Sequence, residues 1–557
     1  MKTFKPVRLL VLLLLSVFFF IFLIVPIYSV VKNGLDPAVL AECFRNPIYL
    51  EGLINSLKIA LVTTCFVFVI ALPPALIYDR YDFAGKKLVN TLMLIPMILP
   101  PFVGALGFMQ IFGHFGTVNT VLVSCGLPRV DWLGGEGRFW MVCIIEALHL
   151  YPILYLNILT ALANVDPAMN EAARNLGAGR WRRFTRITLP MIRPGVFAGG
   201  TLILIWSFTE LGTPLMFGYN RVTTVQIFNG ITELETNPLP YALVIVLLAA
   251  AAGLYVLSRL LLGQSSATAM TKGMAGSSAR KLVSWRSFAA FCPFAVISLA
   301  AGLPHIALVL TAFSTDWYNS ILPQHFTLLN FRNALSHDMV TGSIVNSLKY
   351  SSLAMLICLV VGVTVAVVVT RWKPRGYHVF DTLSMMPLAI PGIIMAFGFL
   401  SMTVNFPLLR TWLDPMKNPL VLLGMAYAIR RLPYVTRAAC AGLEQTPTDL
   451  EEAARNLGAS SWGTMRRIVI PLISANIAVG ALFAFSFSML EVSDSLILAQ
   501  KGEFYPITKA IYELSSILGS GTWIACAFGV WTMAFLACTL AAANAILGKK
   551  MGSLFRF

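Results

Sequence analysis

Charge is what this sequence has least of. Only 12% of its 557 residues are Asp, Glu, Lys or Arg, against about a quarter in soluble domains. With 57% hydrophobic residues and a mean hydropathy of +0.77, a soluble globular fold is excluded and the chain belongs in lipid. Acidic residues are scarcer than basic ones, 25 against 41, for a net charge of +16. No basic stripe with interleaved aromatics accompanies that excess, so no nucleic-acid partner is expected. In a membrane protein such residues collect in cytoplasmic loops. The chain also lacks a G-x-x-x-x-G-K-[ST] phosphate loop and does not cradle ATP by that route. Its nine cysteines show neither CxxC nor Cys/His ligand spacing and read as small hydrophobes. His114, His305, His325, His337 and His378 are scattered as well, so no metal ligand is assigned. With no nucleophile, base or metal cluster at plausible spacing, no catalytic residue is assigned either.

Apolar runs, by contrast, are long and many. Segments that reach the roughly 20 residues needed to cross a bilayer recur near 9–31, 55–78, 88–112, 139–163, 195–218, 239–262, 288–313, 344–370, 378–404, 419–443, 474–499 and 523–547. They predict an all-α polytopic membrane protein of about 12 transmembrane helices. The first run follows Lys2, Lys5 and Arg8; it is too long for a signal peptide and no small-residue cleavage site closes it. A cytoplasmic N-terminus puts Arg80–Lys87, Arg174–Arg193, Arg259–Arg286, Arg371–Arg375, Arg455–Arg467 and Lys549–Arg556 inside, and with them most of the positive charge. Both termini are then cytoplasmic.

The two halves are copies. Asn55-Ser56-Leu57-Lys58 returns as Asn346-Ser347-Leu348-Lys349, and Pro96, Pro100 and Gly107-Phe108 return as Pro387, Pro391 and Gly398-Phe399, all at one constant offset. The stretch Glu171 to Ala178 returns unchanged as Glu452 to Ala459 at a shorter offset, so the loop between the third and fourth spans is ten positions shorter in the second half. Six spans per half make the repeats parallel, related by an axis along the membrane normal. The expected organisation is a first repeat over 1–262, a linker rich in Gly, Ser, Ala and Thr over 263–284, and a second repeat over 285–557.

Each half carries one conspicuous loop, 166–194 and 446–473. The first reads Asp166-Pro167, Glu171-Ala172-Ala173, Gly177, Leu189-Pro190; its twin reads Thr446-Pro447, Glu452-Ala453-Ala454, Gly458, Ile470-Pro471. Asp or Thr before Pro is a helix start, and glycine ends a helix by taking the left-handed conformation. A helix-turn-helix knob is expected, its second arm in Arg180–Arg186 or Ser460–Arg467. Here the chain resembles the inner-membrane components of type I ABC importers, whose signature is Glu-Ala-Ala, a glycine and an apolar-Pro pair. The resemblance covers nearly the whole chain. It implies that Glu171, Ala172, Ala173 and Gly177, with Glu452, Ala453, Ala454 and Gly458, dock on a separate cytoplasmic ATPase. It further implies two copies of one ATPase chain, given the identical loop cores, and a solute-binding protein outside a bacterial inner membrane. ATP and Mg then sit on the ATPase, and this chain binds no cofactor. Fusion of both halves narrows the resemblance to ferric-iron, thiamine and 2-aminoethylphosphonate permeases. The stretch Trp206 to Phe217, with Glu210-Leu211-Gly212-Thr213-Pro214, resembles iron permeases most.

Charged groups at membrane depth are functional candidates. Glu210 has its counterpart at Glu491, with Ser207 and Ser488 beside them. The pair either lines a central pathway suited to a cation or bonds to neighbouring helices. Arg430 and Arg431 occupy the tenth span just before Pro433, where the first half has His149 at the place of Arg430 and Pro152 at the place of Pro433. They either serve an anion or neutralise Glu146, Glu210 or Glu491. The loop Ser314–Gly342 faces outward and is either a docking surface or a connector. A secondary transporter driven by an ion gradient is the rival reading; it predicts no paired Glu-Ala-Ala loops.

Overall fold

The computed structural model describes residues 4–97, 101–163, 165, 167–234, 236–262 and 280–547. Pro100, Asp166, the 263–279 part of the linker and Lys549–Arg556 lie outside the described residues. Long helices dominate, joined by a two-residue parallel ribbon (Tyr81–Asp82 with Arg280–Lys281) and a short antiparallel one (Ser314–Asp316 with His325–Phe326).

Among the described residues nine helices are long and apolar enough to span: Pro6–Gly34, Pro47–Arg80, Pro101–Ser124, Gly137–Leu162, Arg180–Met216, Leu239–Leu260, Trp285–Ala312, Asp338–Trp372 and Gly521–Thr539. Two bent pairs bring the number to eleven: Tyr377–Ala389 with Gly392–Asn405, at 107°, and Ser461–Leu472 with Ser474–Met489, at 73°. Eleven is one fewer than expected, and the reason is the tenth segment. Its residues form the helix Leu420–Gln445, which carries Arg430, Arg431 and Arg437 and so is not apolar by composition. Protein rather than lipid surrounds it: Leu422, Leu423, Tyr427, Leu432, Val435 and Leu443 are all buried. Below, these twelve elements are spans 1 to 12 in chain order.

Span 9 breaks at Ile390–Pro391, where the ring removes a backbone donor. The 88–112 segment is likewise divided, into Lys86–Leu92, the turn Ile95–Met97 and the helix from Pro101.

Packing repeats with the sequence. Gly199 of span 5 lies so close to span 4 that a Cβ would stand 3.1 Å from Leu154 Cα; at the matching place in the second half, a Cβ at Gly480 would stand 3.0 Å from Val435 Cα. Only a missing side chain lets these helices approach so near. Gly195, four positions before Gly199, meets the Asn157 carbonyl in the same way.

The candidate coupling loops and the intramembrane charge cluster

The first knob is the helix Pro167–Asn175, a turn at Gly177 with φ +77°, and the helix Arg180–Arg183, which runs through Phe184–Thr188 into span 5. The second is Asp449–Asn456, Gly458 at φ +85°, and Ser461–Thr464. Both turns close identically. Ala178 N donates to Ala173 O and Gly177 N to Arg174 O, at 2.9 and 3.0 Å; Ala459 and Gly458 repeat the pattern to Ala454 and Arg455 at the same distances. This is a Schellman ending, and it demands a residue that tolerates the left-handed region. Thr446 does not start the second knob: its hydroxyl bonds back to Gly442 O at 2.9 Å, and the helix begins at Asp449. The Thr-Pro pair closes span 10 instead.

Glu171, Ala172, Glu452 and Ala453 are exposed, while Ala173 and Ala454 turn toward the protein. Sequence reasoning missed the exposed large apolar groups of the knobs. Leu176 and Leu457 are 88% and 89% exposed, and Trp181 and Trp462 are 76% and 71% exposed. Their signal was available, since both pairs keep the offset of the repeated Glu-Ala-Ala stretch and fall at the tips of the knobs. The knobs differ at their roots. Arg371 binds Glu451 at 2.6 Å and the carbonyls of Leu443 and Thr446 at 2.9 and 2.8 Å. The equivalent residues in the first half are Arg80 and Asn170, so that ion pair has no twin.

Within span 5 the helix unwinds at Thr209–Leu211, and span 11 ends at the matching break, Leu490–Val492. Glu210 and Glu491 occupy these breaks. Thr224 Oγ1 donates to Glu210 O at 2.8 Å and Thr508 Oγ1 to Glu491 O at 2.6 Å, which satisfies carbonyls that the lost helix leaves open. The breaks abut: a Cβ on Gly212 would stand 3.1 Å from Val492 Cγ1.

The two carboxylates have different partners. Arg430 Nη1 donates to Glu491 Oε1 at 2.8 Å, and Arg431 Nη2 donates to Glu491 Oε2 and to Phe487 O. The arginines therefore neutralise Glu491. Asp494, fully buried, lies 3.9 Å from Arg430 and neither of its carboxylate oxygens has a hydrogen-bond partner among the described residues. Glu210 instead accepts from the backbone of Gly212 and Thr213, at 3.1 and 3.4 Å. Ser207 donates to Glu146, not to Glu210. Among the described residues neither Glu146 nor Glu210 has an ion-pair partner within 4.0 Å. Among the described residues Ser488 Oγ is buried without a hydrogen-bond partner, and the His149 ring bonds Pro96 O at 2.8 Å. Glu146 and Asp494 were absent from the sequence-derived site. Their repeat equivalents are Tyr427 and Thr213, so comparing the halves hid both.

A doubled helical membrane domain with two such knobs is the architecture of a transport component. The chain belongs to the family of binding-protein-dependent transport system inner membrane components, matched twice, over residues 69–267 and 358–547. It is a multi-pass inner-membrane protein. It is 26% identical over 472 residues to the putative ferric transport system permease protein FbpB 1 of Haemophilus influenzae, covering 83% of this chain and 71% of that one. It is 25% identical to the ferric transport system permease protein FbpB of Actinobacillus pleuropneumoniae, covering 82% of this chain and 64% of the relative, just under two thirds. A probable molybdenum ABC transporter permease protein of Haloferax volcanii is 31% identical over 248 residues, which is 44% of this chain and 87% of the relative.

Proposed function

We propose that this chain is the permease of an ATP-driven ABC importer and that its cargo is ferric iron, delivered by an external binding protein. The observation that carries the importer reading is the pair of knobs, with identical Schellman turns and exposed Leu and Trp tips. Unsupported apolar tips of this kind suit a groove on a partner. In this reading Glu171, Ala172, Ala173, Gly177 and their twins Glu452, Ala453, Ala454 and Gly458 dock on two copies of one ATPase, which holds ATP and Mg. This chain binds no cofactor. The first knob passes into span 5 as a continuous helix, so nucleotide-driven movement of the knob reaches the Glu210 break directly. The repeats 1–262 and 285–557 act as two fused subunits, with both termini cytoplasmic.

The cargo reading draws on the ferric relatives and on charge. Glu146 and Glu210 offer a cation two carboxylates with no fixed counter-charge, whereas Glu491 is already neutralised. Thiamine, a cation, is the alternative on the same ground; 2-aminoethylphosphonate, whose phosphonate offsets its ammonium, has no net positive charge for the two carboxylates to attract. The test is uptake into vesicles holding this permease, its ATPase and its binding protein, with labelled ferric iron, thiamine and 2-aminoethylphosphonate offered separately, with and without ATP. ATP-dependent uptake of iron alone is expected. Uptake that ignores ATP and follows an ion gradient would make the chain a secondary transporter.

A further inference from the structure

The segments after the two helix breaks are anchored by the same bonds in both halves. Asn55 Nδ2 donates to Arg221 O at 3.1 Å and Asn346 Nδ2 to Tyr505 O at 3.3 Å. Thr223 N donates to Ser56 Oγ at 3.1 Å and Ile507 N to Ser347 Oγ at 2.8 Å. Thr224 and Thr508 hold the carbonyls of Glu210 and Glu491. On the segments the pairs Arg221 and Tyr505, Thr223 and Ile507, and Thr224 and Thr508 all share one offset. That register makes Phe228 and Tyr512 equivalent positions.

These two equivalents touch each other. Their ring centroids are 6.4 Å apart with planes at 87°, an edge-to-face contact. The midpoint between a residue and its image under a two-fold rotation lies on the axis. The axis relating the repeats therefore passes between these rings, as it passes close to the abutting breaks at Gly212 and Val492. Lys509 completes the contact. Its ammonium lies 5.4 Å from the Phe228 ring, 5.5 Å from Tyr505 and 5.9 Å from Tyr512, all within cation–π range. It also donates to Leu496 O at 3.2 Å and sits 3.3 Å from Glu513. At 8% exposure this lysine is buried where the two repeats meet.

Solutes cross proteins built from parallel repeats along the interface between them. The segment joining spans 5 and 6 lies at the end of span 5 opposite the knob, and the same holds for spans 11 and 12. We propose that Phe228, Tyr512 and Lys509 form the closed outer gate of the translocation path. The paired rings fill the axis, and Lys509, held by Glu513 and by the three surrounding rings, ties them shut until the repeats separate. This assignment rests on the importer reading.

The test is the double variant Phe228→Cys with Tyr512→Cys in the full permease, assembled with its ATPase and binding protein in vesicles. Cys65, Cys125, Cys292 and Cys538 are exposed, so each single variant serves as a background control. Oxidation should link the two positions, verified by mass spectrometry of the digested protein, and should cut ATP-dependent iron uptake at least tenfold, with recovery on reduction. Failure to link under conditions that leave transport intact refutes the contact. A linked permease that transports at the unlinked rate refutes the gate. Loss of ATP-dependent uptake in the unmodified complex would instead defeat the importer reading itself. A second variant, Lys509→Met, should raise iron passage in the absence of binding protein; unchanged passage would remove the lysine from the gate.

Discussion

Arg371 Nε lies 2.6 Å from Glu451 Oε1 where the second knob joins spans 8 and 10, and both side chains are largely shielded from solvent. The same guanidinium holds the last carbonyls of span 10, so one residue ties knob to membrane helices. Glu451 keeps a longer second partner in Arg455 at 3.5 Å, so removing Arg371 costs less than the roughly 3–5 kcal/mol of fully stranding a buried charge.

Arg371→Ala should therefore loosen the second knob and reduce ATP-dependent uptake by roughly tenfold or more, since a few kcal/mol of lost attachment exceeds one decade in an equilibrium. Asn170→Ala, at the place of Glu451 in the first knob, should change little. Arg371→Met with Glu451→Leu should recover much of the loss by replacing the pair with apolar packing. Uptake by Arg371→Ala at the unmodified rate would show that the knob is held by other contacts.

Glu210 and Glu491 share a repeat position but not an environment. Glu491→Gln leaves two guanidiniums with half their acceptors, and about 3 kcal/mol or more of stability should go with them. Glu210→Gln loses only charge-assisted bonds from two backbone amides, worth about 1–2 kcal/mol. Melting of the purified permease in detergent should separate the two, Glu491→Gln falling well below Glu210→Gln. Iron uptake should be altered by Glu210→Gln despite its near-normal melting. Equal melting would mean the arginine contacts do not hold the eleventh span.

Much of this architecture is legible in the sequence because membrane burial and duplication both leave periodic traces. Apolar runs mark all twelve spans, and the two Glu-Ala-Ala-x-x-x-Gly stretches mark both knobs with their left-handed glycines. What escapes is what the repeat does not preserve. Arg430 and Arg431 are visible as intramembrane charges, yet the sequence does not choose their partner among Glu146, Glu210 and Glu491, because that choice depends on which face of span 10 meets span 11. Asp494 stands where the first half has threonine, and Lys509 follows a three-position shift between the halves, so neither answers to the register that relates the knobs. The Asn-Ser-Leu pairs mark the repeat, but their bonds to distant parts of the chain are a tertiary fact.

Those bonds make a further prediction. Asn55 and Asn346 pin the segments that follow the helix breaks, and each loses a part-buried donor–carbonyl bond on substitution by alanine, Asn346 also an exposed one to Glu503 O. Water reaches such carbonyls in part, so the cost is that of an ordinary hydrogen bond, about 0.5–1.5 kcal/mol. Each Asn→Ala variant should melt a few degrees lower, and the double variant should lose both increments, since the two sites share no bonded partner. Hydrogen exchange should rise in Arg221–Asn229 for Asn55→Ala and in Phe504–Ser515 for Asn346→Ala. Exchange rising elsewhere instead would place the anchoring in other bonds.

At the knobs the decisive quantity is backbone conformation. A Cβ on Gly177 or Gly458 would meet nothing within 4 Å, so substitution there meets no steric barrier from the rest of the fold. The penalty is the left-handed φ alone, about 1–2 kcal/mol for most residues and less for asparagine. Gly177→Asn with Gly458→Asn should therefore keep most uptake. Gly177→Val with Gly458→Val should impair it strongly while the protein still reaches the membrane, because the Schellman turn that aims Leu176 and Leu457 no longer closes. Gly177→Pro with Gly458→Pro should abolish uptake, since proline also removes the amides that donate to Arg174 and Arg455. Measured side by side, this order of uptake, Asn above Val above Pro, would tie transport to the turn geometry. Equal uptake in all three would detach the knobs from energy coupling, whatever else they contact.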